Sequence, residues 1–380
     1  MKTGPAPFGS TLEVVSSLEG PEGRPSLMLF HVGLDLSRSR VDVCVLDGEG
    51  GVVARLIACP DAGGLAGLAT RVEQLGGAQP VWVRAAIESM TGARFVRDVL
   101  TETGWQVQIA DAARVKGLAP LACKTDKIDA WVLAELSRRD LVPAIWLPPP
   151  QVRGRREQVR FRYFLVKRRS MLKHRIHSTL MTFGVPVPVS DLFGVGGRAL
   201  LARLALPEPW AGHVAEAVAM IDDLDTRIDA CDAAIRVWAR TDPAVARLRT
   251  MPGIGEVLGA TIAAEIGDIT RFPTPTKLVG YTGLCARVYQ SGGTDRRGGL
   301  TKAGPNLLRW ALIEATTHAS RHPAYTTRYQ HTRARLGRQR GARIARVELA
   351  RRLTHDIWHM LTRDQDFHPA AAGAAIDLVA

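Results

Sequence analysis

The chain has 380 residues, 46% of them hydrophobic, and its formal net charge at pH 7 is +13. This length is enough for two or three domains with cores of their own, and the basic excess indicates a polyanionic partner, nucleic acid first. No run approaches the roughly 18 apolar residues of a membrane-spanning helix, and the first residues lack the basic-then-apolar order of a secretory signal. We therefore expect a cytosolic protein without a membrane partner, whose five scattered cysteines are reduced core thiols.

Residues 30–145 predict a mixed α/β domain, after a Pro-, Gly- and Ser-rich tail over residues 1–29 that we expect to be disordered. The stretch "LFHVGLDLSRSRVDVCVLDGEGGVVARLIACP" predicts three strands, separated by turns at "SRSR" and "DGEGG". Helix, strand, helix and strand patterns follow, and then a helix that contains "TDKIDAWVLAEL". The order βββαβαβα indicates a mixed sheet with helices against it.

Residues 146–245 predict a basic helical region that begins at the linker signal "LPPPQ". A strongly basic helix extends to about Phe183, and a second long helix runs from about Trp210 to Ala239 with apolar residues three and four apart. Such a pair predicts antiparallel helices or a coiled coil. Either an oligomerisation element or an internal helical layer would give this pattern.

Residues 246–365 are a third predicted region, whose sequence pattern differs from that of the basic helices before it. A short tail over residues 366–380 follows. "LRTMPGIGEVLGATIAAEIGDITRF" has the helix, Pro-Gly-Ile-Gly, helix order of a helix-hairpin-helix. In that motif glycines such as Gly253 and Gly255 let backbone N–H groups approach a phosphate at a helix N-terminus. An ordinary corner between two helices is the alternative.

Four carboxylates form a candidate metal site. Asp35 lies near the end of the first predicted strand and Glu88 ends the fourth, where sites form in α/β sheets. Asp126 and Asp129 are three apart and share one helix face. Each residue could instead cap a local turn or helix, but together they are costly unless a divalent cation such as Mg²⁺ binds. The set matches the carboxylate layout of RuvC-like (RNase H-like) nuclease folds.

The chain resembles the DEDD insertion-sequence transposases, a family that includes the pilin-gene invertase and bridge-RNA-guided recombinases. In the N-terminal half the resemblance rests on "GLDLSRSRVDVCVLD", "ESMTGARFVRDVL" and "KTDKIDAWVLAEL". In the C-terminal half it rests on "MPGIGEVLGATIAAEIGDITRF", "KLVGYTGLCARVYQSGG" and "GGLTKAGPNLLRWALIEAT". It covers roughly residues 30–362 and implies an α/β RuvC-like domain, a helical coiled-coil middle and a mostly α transposase domain.

The resemblance also implies a mechanism. The DEDD residues map onto Asp35, Glu88, Asp126 and Asp129, which would be catalytic and hold one or two Mg²⁺ ions. Ser291, in what reads as a Gly-rich polar loop, would attack a DNA phosphate and form a covalent phosphoserine link that a second DNA end displaces. A turn residue is the ordinary interpretation of this serine, and Tyr289 is a rival nucleophile.

The expected partners are double-stranded DNA at the element ends and target, and a noncoding guide RNA. A homodimer or homotetramer would hold the two DNA ends, in the bacterial cytoplasm at the nucleoid. Phosphate contacts are expected from a basic helix, from the segment around the serine, from the helix after it and from the glycine hairpin, with ordinary solvated helix faces as the alternative. These positions are Arg155, Arg156, Arg162, Lys167, Arg168, Arg169, Gly253, Gly255, Arg296, Arg297, Lys302, Asn306 and Arg309.

Two other functions fit the same residues. The first is a RuvC-like, metal-dependent, structure-specific nuclease in which water attacks the phosphate. The second is a non-catalytic nucleic-acid-binding protein, against which the complete set of four acids argues. Departures from the family pattern, such as Cys285-Ala286 and the "GPN" step at Pro305, touch none of the five proposed chemical residues.

Overall fold

A computed structural model of the chain describes residues 27–118, 126–291 and 294–369. The chain divides into two compact units, of which the first ends at Leu147 and the second begins at Pro148. The first unit is a mixed α/β domain and the second is mostly helical. These two features of the predicted fold are confirmed.

The first unit is built on a five-stranded sheet of order β3-β2-β1-β4-β5. β1 pairs antiparallel with β2 and parallel with β4, which pairs parallel with β5. All five predicted strands are present, because each is a short apolar run bounded by turn residues. Their bounds are β1 Met28–Leu36, β2 Val41–Leu46, β3 Val52–Ala58, β4 Val81–Glu88 and β5 Gln106–Ala110.

Helices cover both faces of this sheet. On one face α1 (Ala62–Gln74) and α2 (Ala93–Glu102) bury their apolar stripes in the main core of the unit. A short helix, α3 (Ala112–Leu118), was not predicted and precedes α4 (Asp126–Arg138), which lies on the opposite face. The central strands are therefore covered on both sides, whereas the edge strand β3 is mostly exposed. The helix α4 is the element that brings Asp126 and Asp129 to the sheet.

The second unit begins with an antiparallel pair of long helices, α5 (Pro150–Thr182) and α7 (Trp210–Ala239), close to their predicted bounds. Ion pairs from Arg162 to Asp232 and from Arg169 to Asp225 show the antiparallel order, since the partner's number falls as that on α5 rises. A coiled coil remains a prediction. The segment between these two helices, which we expected only to interrupt them, contains α6 (Val195–Arg203). This helix was not predicted because its two glycines weaken the helical pattern.

The remaining helices enclose the core of the second unit. They are α8 Pro243–Leu248, α9 Glu256–Ile266, α10 Pro275–Thr282, α11 Asn306–Ala319, α12 Pro323–Arg335 and α13 Arg338–Arg363. One apolar cluster joins Val159, Ile235 and Leu307. The predicted regions 146–245 and 246–365 thus share a core in this structure.

The stretch "VYQSGGTDRRGG", interpreted from sequence as a Gly-rich polar loop, belongs to a β-hairpin. Its strands are β6 (Ala286–Ser291) and β7 (Thr294–Leu300), paired antiparallel. The loop interpretation was wrong because most of the polar and glycine residues of this stretch belong to the two paired strands.

Two expectations from the composition concern membrane-spanning helices and the burial of the cysteines. Among the described helices, none is long and apolar enough to cross a membrane. Cys44 is buried as expected, but Cys59 is exposed, and Cys231 and Cys285 are only partly buried. The prediction of core thiols was therefore wrong for Cys59, which follows the edge strand β3; Cys123 lies outside the described residues.

Candidate active site

Asp35 and Glu88 lie side by side at the carboxyl ends of two parallel strands. The last recorded pair of β1 and β4 is Leu34 with Ile87, and the next residue on each strand is the acid. Both acids are partly buried. Two carboxylates therefore meet at the same edge of the sheet, as predicted from their positions at the strand ends.

Both side chains are on the face that α4 covers. A Cβ at Gly33 would lie 1.8 Å from the carbonyl oxygen of Ala130, so this face of β1 touches the helix backbone. Asp35 follows two residues later and points to the same side, because side chains alternate along a strand. Ala86 packs with Leu133 of α4, and the same alternation puts Glu88 on that side too.

The direction of α4 brings its first turn toward the two strand-end acids. The Ser137 hydroxyl, near the end of α4, donates to the backbone carbonyl of Arg84 early in β4, at 3.2 Å. Because Ala130 lies over Gly33, the helix runs antiparallel to β1 and β4. Asp126 and Asp129, in the first turn, are thus directed to the end of the sheet that carries Asp35 and Glu88.

Charges at the far end of α4 are paired with one another. Arg138 and Arg139 both donate to the Glu135 carboxylate, and the hydrogen bond from Arg138 is the main reason that the pKa of Glu135 falls to about 2. Burial lowers the pKa of His31, which lies on β1 near this end. These ion pairs are internal to α4 and lie in its last turns, at the end opposite the proposed site.

The donor set suits a hard divalent cation, because carboxylate oxygens are the ligands that Mg²⁺ prefers. Asp129 is partly buried, while the side chain of Asp126 lies outside the described residues. Within the described part of the chain, no three His, Cys, Asp or Glu side chains are close enough together to hold a metal ion. The four acids share one end of the domain, and the ligand set itself stays a prediction.

Ser291 is the last residue of β6 and pairs with Thr294 across the hairpin end. The side chains of Ser291 and Arg297 lie outside the described residues. Arg296 is exposed and stands opposite Tyr289, which is 66% exposed. The backbone thus carries the serine to the tip of a basic hairpin.

Two exposed polar residues lie between the hairpin and the first turn of the helix that follows it. Lys302 is exposed and adopts a left-handed conformation (φ 53°), which is uncommon for a residue with a side chain. Asn306 is exposed and is the first residue of α11. Arg309 instead donates to the backbone carbonyl of Thr282 at 3.2 Å, which satisfies a carbonyl at the end of α10.

The two glycines of the Pro-Gly-Ile-Gly turn have different environments. Gly253 has a φ of +86°, and a Cβ there would lie 2.2 Å from the carbonyl oxygen of Ala315 on α11. Gly255 is the N-cap of α9, and a Cβ there would meet nothing within 4 Å. Gly253 therefore serves helix packing, and Gly255 leaves an open helix N-terminus.

The basic helix α5 divides into residues that hold the fold and residues that face outward. Arg155 pairs with Asp242 at 2.7 Å, and Arg156 is buried and donates to the carbonyls of Ala264 and Glu265, both at 2.8 Å. As described above, Arg162 and Arg169 pair with acids of α7. These four side chains connect elements of the second unit.

The other two predicted residues of α5 are exposed. Lys167 lies over the ring of Tyr163 at 5.1 Å, and Arg168 lies over that of Phe164 at 4.7 Å. A cation that lies over an aromatic ring in this way can contact the phosphate backbone of a nucleic acid.

An exposed group of arginines at the α12–α13 corner was not singled out from the sequence. We call it the arginine surface, and it consists of Arg333, Arg335, Arg340, Arg343 and Arg346. The sequence shows a run of arginines from 321 to 352, and the three-residue spacing of the last three members would have revealed a common helix face.

Two family models match the chain. A DEDD model of IS110 type, described as "Transposase", matches residues 32–184. A second, described as "Transposase IS116/IS110/IS902 family", matches residues 245–331. They match the same two halves on which the resemblance in sequence rests.

Curated relatives agree with these models. The chain is 26% identical to a "Probable family 20 transposase" of Pseudomonas aeruginosa, over 75% of this chain and 85% of that protein. It is 24% identical to "Transposase for insertion sequence element IS1328" of Yersinia enterocolitica, over 74% of this chain and 84% of that protein. It is 26% identical to "Transposase for insertion sequence element IS1111A" of Coxiella burnetii, over 65% and 69% respectively.

Proposed function

Since the chain belongs to the DEDD-type insertion-sequence transposase family, we propose that it is a transposase that cuts and rejoins DNA. One observation carries the proposal: β1, β4 and α4 direct Asp35, Glu88, Asp126 and Asp129 to the same end of the N-terminal sheet. Acids directed to one end of a sheet repel one another, and a bound cation would offset that repulsion.

The four carboxylates would hold one or two Mg²⁺ ions. When bound, Mg²⁺ neutralises charge on the phosphate and on the departing oxygen. Asp35 and Glu88 are fixed by strand pairing, whereas the two helical acids are fixed by the contact of α4 with Gly33. The protein's part is to keep these oxygens in place before DNA arrives.

Ser291 would be the nucleophile. Its hydroxyl oxygen bonds to phosphorus as its proton leaves, and the bond between phosphorus and one deoxyribose oxygen breaks, which frees a DNA hydroxyl. A hydroxyl of a second DNA end then attacks the phosphoserine, forms the new phosphodiester and releases the serine. The number of phosphoester bonds is unchanged, so the reaction needs no nucleotide hydrolysis.

DNA backbone contacts would come from exposed cations, namely Lys167, Arg168, Arg296, Lys302 and the arginine surface. Gly255 would offer the open N-terminus of α9 to a phosphate. Arg156, whose guanidinium is buried, contributes through the fold.

A noncoding guide RNA and a homodimer or homotetramer complete the proposal. Sequencing of RNA that co-purifies after expression with native flanking DNA tests the first part, and one discrete flank-derived transcript is the expected result. Light scattering on nucleic-acid complexes tests the second, and monomers alone would contradict it.

Strand cleavage in Mg²⁺ tests the chemistry, with the gene and its native flanks on a plasmid. Asp35→Asn should abolish cutting, because it removes a carboxylate from the set. Ser291→Ala should also abolish cutting and rejoining if serine attacks, and should be tolerated if water does. Ser291→Ala thus distinguishes the transposase from a RuvC-like nuclease, since Asp35→Asn should be inactive in both.

A further inference from the structure

A further acid, Asp42, lies beside the proposed catalytic carboxylates. It is the direct cross-strand partner of Asp35 in the β1–β2 pairing. Two residues along β2, Cys44 packs against Ala130 of α4, so alternation directs Asp42 to the same face of the sheet. Three neighbouring strands thus carry Asp42, Asp35 and Glu88 at one level.

Asp42 is more deeply buried than its neighbours, with a side chain that is only 6% exposed. A buried carboxylate needs a hydrogen-bonded partner of opposite charge, and like charges directly opposite on two strands are destabilising. Arg40 supplies the partner, because its Nε donates to Oδ2 of Asp42 at 2.7 Å.

The β1–β2 turn holds Arg40 in place. The Ser37 hydroxyl donates to the carbonyl of Arg40 at 2.9 Å, and the Ser37 N–H donates to the same carbonyl at 2.8 Å. The backbone of Arg40 is therefore fixed two residues before Asp42, and its side chain reaches the carboxylate of that acid. Its side chain is still 47% exposed.

We propose that Arg40 contacts the DNA phosphate at the carboxylate site and that Asp42 is the residue that positions it. The proposal rests on the function proposed above. A guanidinium has five N–H donors in a planar fork, and the bond from Nε to Asp42 fixes the plane of that fork. The buried acid orients the cation, and that acid is the cross-strand partner of Asp35.

This arrangement gives the site an attractive element for a phosphate. Carboxylates near a phosphate repel it, whereas a fixed guanidinium attracts it with or without a bound cation and prefers a two-point contact. A lysine at the same position would keep the charge and lose the fork. A phosphate contact by Arg40 therefore depends on the geometry of its guanidinium as well as on its charge. If the Arg40–Asp42 pair served only the fold, DNA cleavage by a folded variant would depend on neither.

The first experiment compares Arg40→Gln and Arg40→Lys with wild type in single-turnover DNA cleavage. We expect Arg40→Gln to slow cleavage roughly 10- to 100-fold, the loss of one charged hydrogen bond, and Arg40→Lys to recover only part of that. The matched control is Arg139→Gln, which removes an exposed, ion-paired arginine at the far end of α4 and should cut at the wild-type rate.

The second experiment measures binding of a short DNA duplex in EDTA, where no cutting occurs. Arg40→Gln should reduce the salt-dependence slope of the binding constant by about one, while Arg139→Gln leaves it unchanged. This readout does not depend on metal or on Ser291. It would still report on Arg40 if wild type failed to cut DNA, a result that would overturn the proposed function alone.

Asp42→Asn completes a double-mutant cycle. If Asp42 acts only through Arg40, Asp42→Asn slows cleavage in the wild-type background and adds nothing to Arg40→Gln. Additive losses, or a raised Mg²⁺ requirement confined to Asp42→Asn, would overturn the positioning role. Wild-type cleavage and an unchanged salt slope in Arg40→Gln, with Asp35→Asn inactive, would overturn the phosphate contact while the proposed function stands.

Discussion

Replacement of Gly33 by alanine tests the contact that brings the helical acids to the sheet. The new Cβ would lie 1.8 Å from the carbonyl oxygen of Ala130 and 2.5 Å from the backbone nitrogen of Ala134. Ordinary contacts are about 3.5 Å, so α4 must move away by more than about 1 Å. Neither clashing atom belongs to a flexible side chain, so the strain cannot be relieved by a rotamer change.

We expect Gly33→Ala to lower the free energy of unfolding by about 3 kcal/mol, the upper end of the usual cost of overpacking. We also expect a loss of DNA cleavage of about 100-fold, since an error of about 1 Å in a catalytic group has that effect. Urea unfolding followed by circular dichroism measures the first quantity, and plasmid cleavage in Mg²⁺ measures the second.

The matched control is Gly67→Ala, at an exposed position inside α1 where a Cβ would meet nothing within 4 Å. Alanine is the better helix former, so this variant should gain about 0.5–1 kcal/mol and cut DNA normally. Wild-type stability and cleavage in Gly33→Ala would refute the close contact between β1 and α4, and with it the placement of Asp126 and Asp129.

Three further predictions concern the second unit. Burial raises the pKa of Asp356 to about 6, although a hydrogen bond from Tyr325 opposes the shift. The folded protein then holds a proton that the unfolded chain releases near pH 4. The free energy of unfolding should therefore fall by up to about 3 kcal/mol as pH rises from about 4 to 6. Asp356→Asn should remove that fall. Arg156→Ala should destabilise the fold by about 3 kcal/mol, because two buried carbonyls lose a charged donor, and melting curves should show the loss without any change in the salt slope of DNA binding. Glutamine at the three arginine-surface positions on α13 should lower that slope by about three, and Arg227→Gln, on α7, is the control that should leave it unchanged.

Local patterns predicted much of the fold and the strand ends that carry the acids. The runs around Asp35 and Glu88 are short, apolar and bounded by turns, so their strand positions follow from neighbouring residues. The two long helices were also predictable from neighbouring residues, because their patterns extend without a break over many turns. Where glycines lowered the local helical or strand signal, as in α6 and the β6–β7 hairpin, sequence reasoning missed the element.

Roles set by distant partners could not be predicted. Arg156 reads as one cation of a basic run, and only its contacts with carbonyls more than a hundred positions away show that it belongs to the core. Asp42 reads as a polar residue within an apolar strand. Its role depends on the strand register that puts it opposite Asp35, and on the turn that places Arg40 within hydrogen-bonding distance of it.

The covalent link between protein and DNA is the most direct test of the proposed chemistry. Labelled DNA carrying the native flanks would be incubated with the protein in Mg²⁺, denatured and digested, and the DNA-linked peptide would be identified by mass spectrometry. We expect a phosphodiester link to Ser291 that is absent in Ser291→Ala and in Asp35→Asn. Cleavage by wild type without any protein–DNA link, or a link to Tyr289, would contradict it.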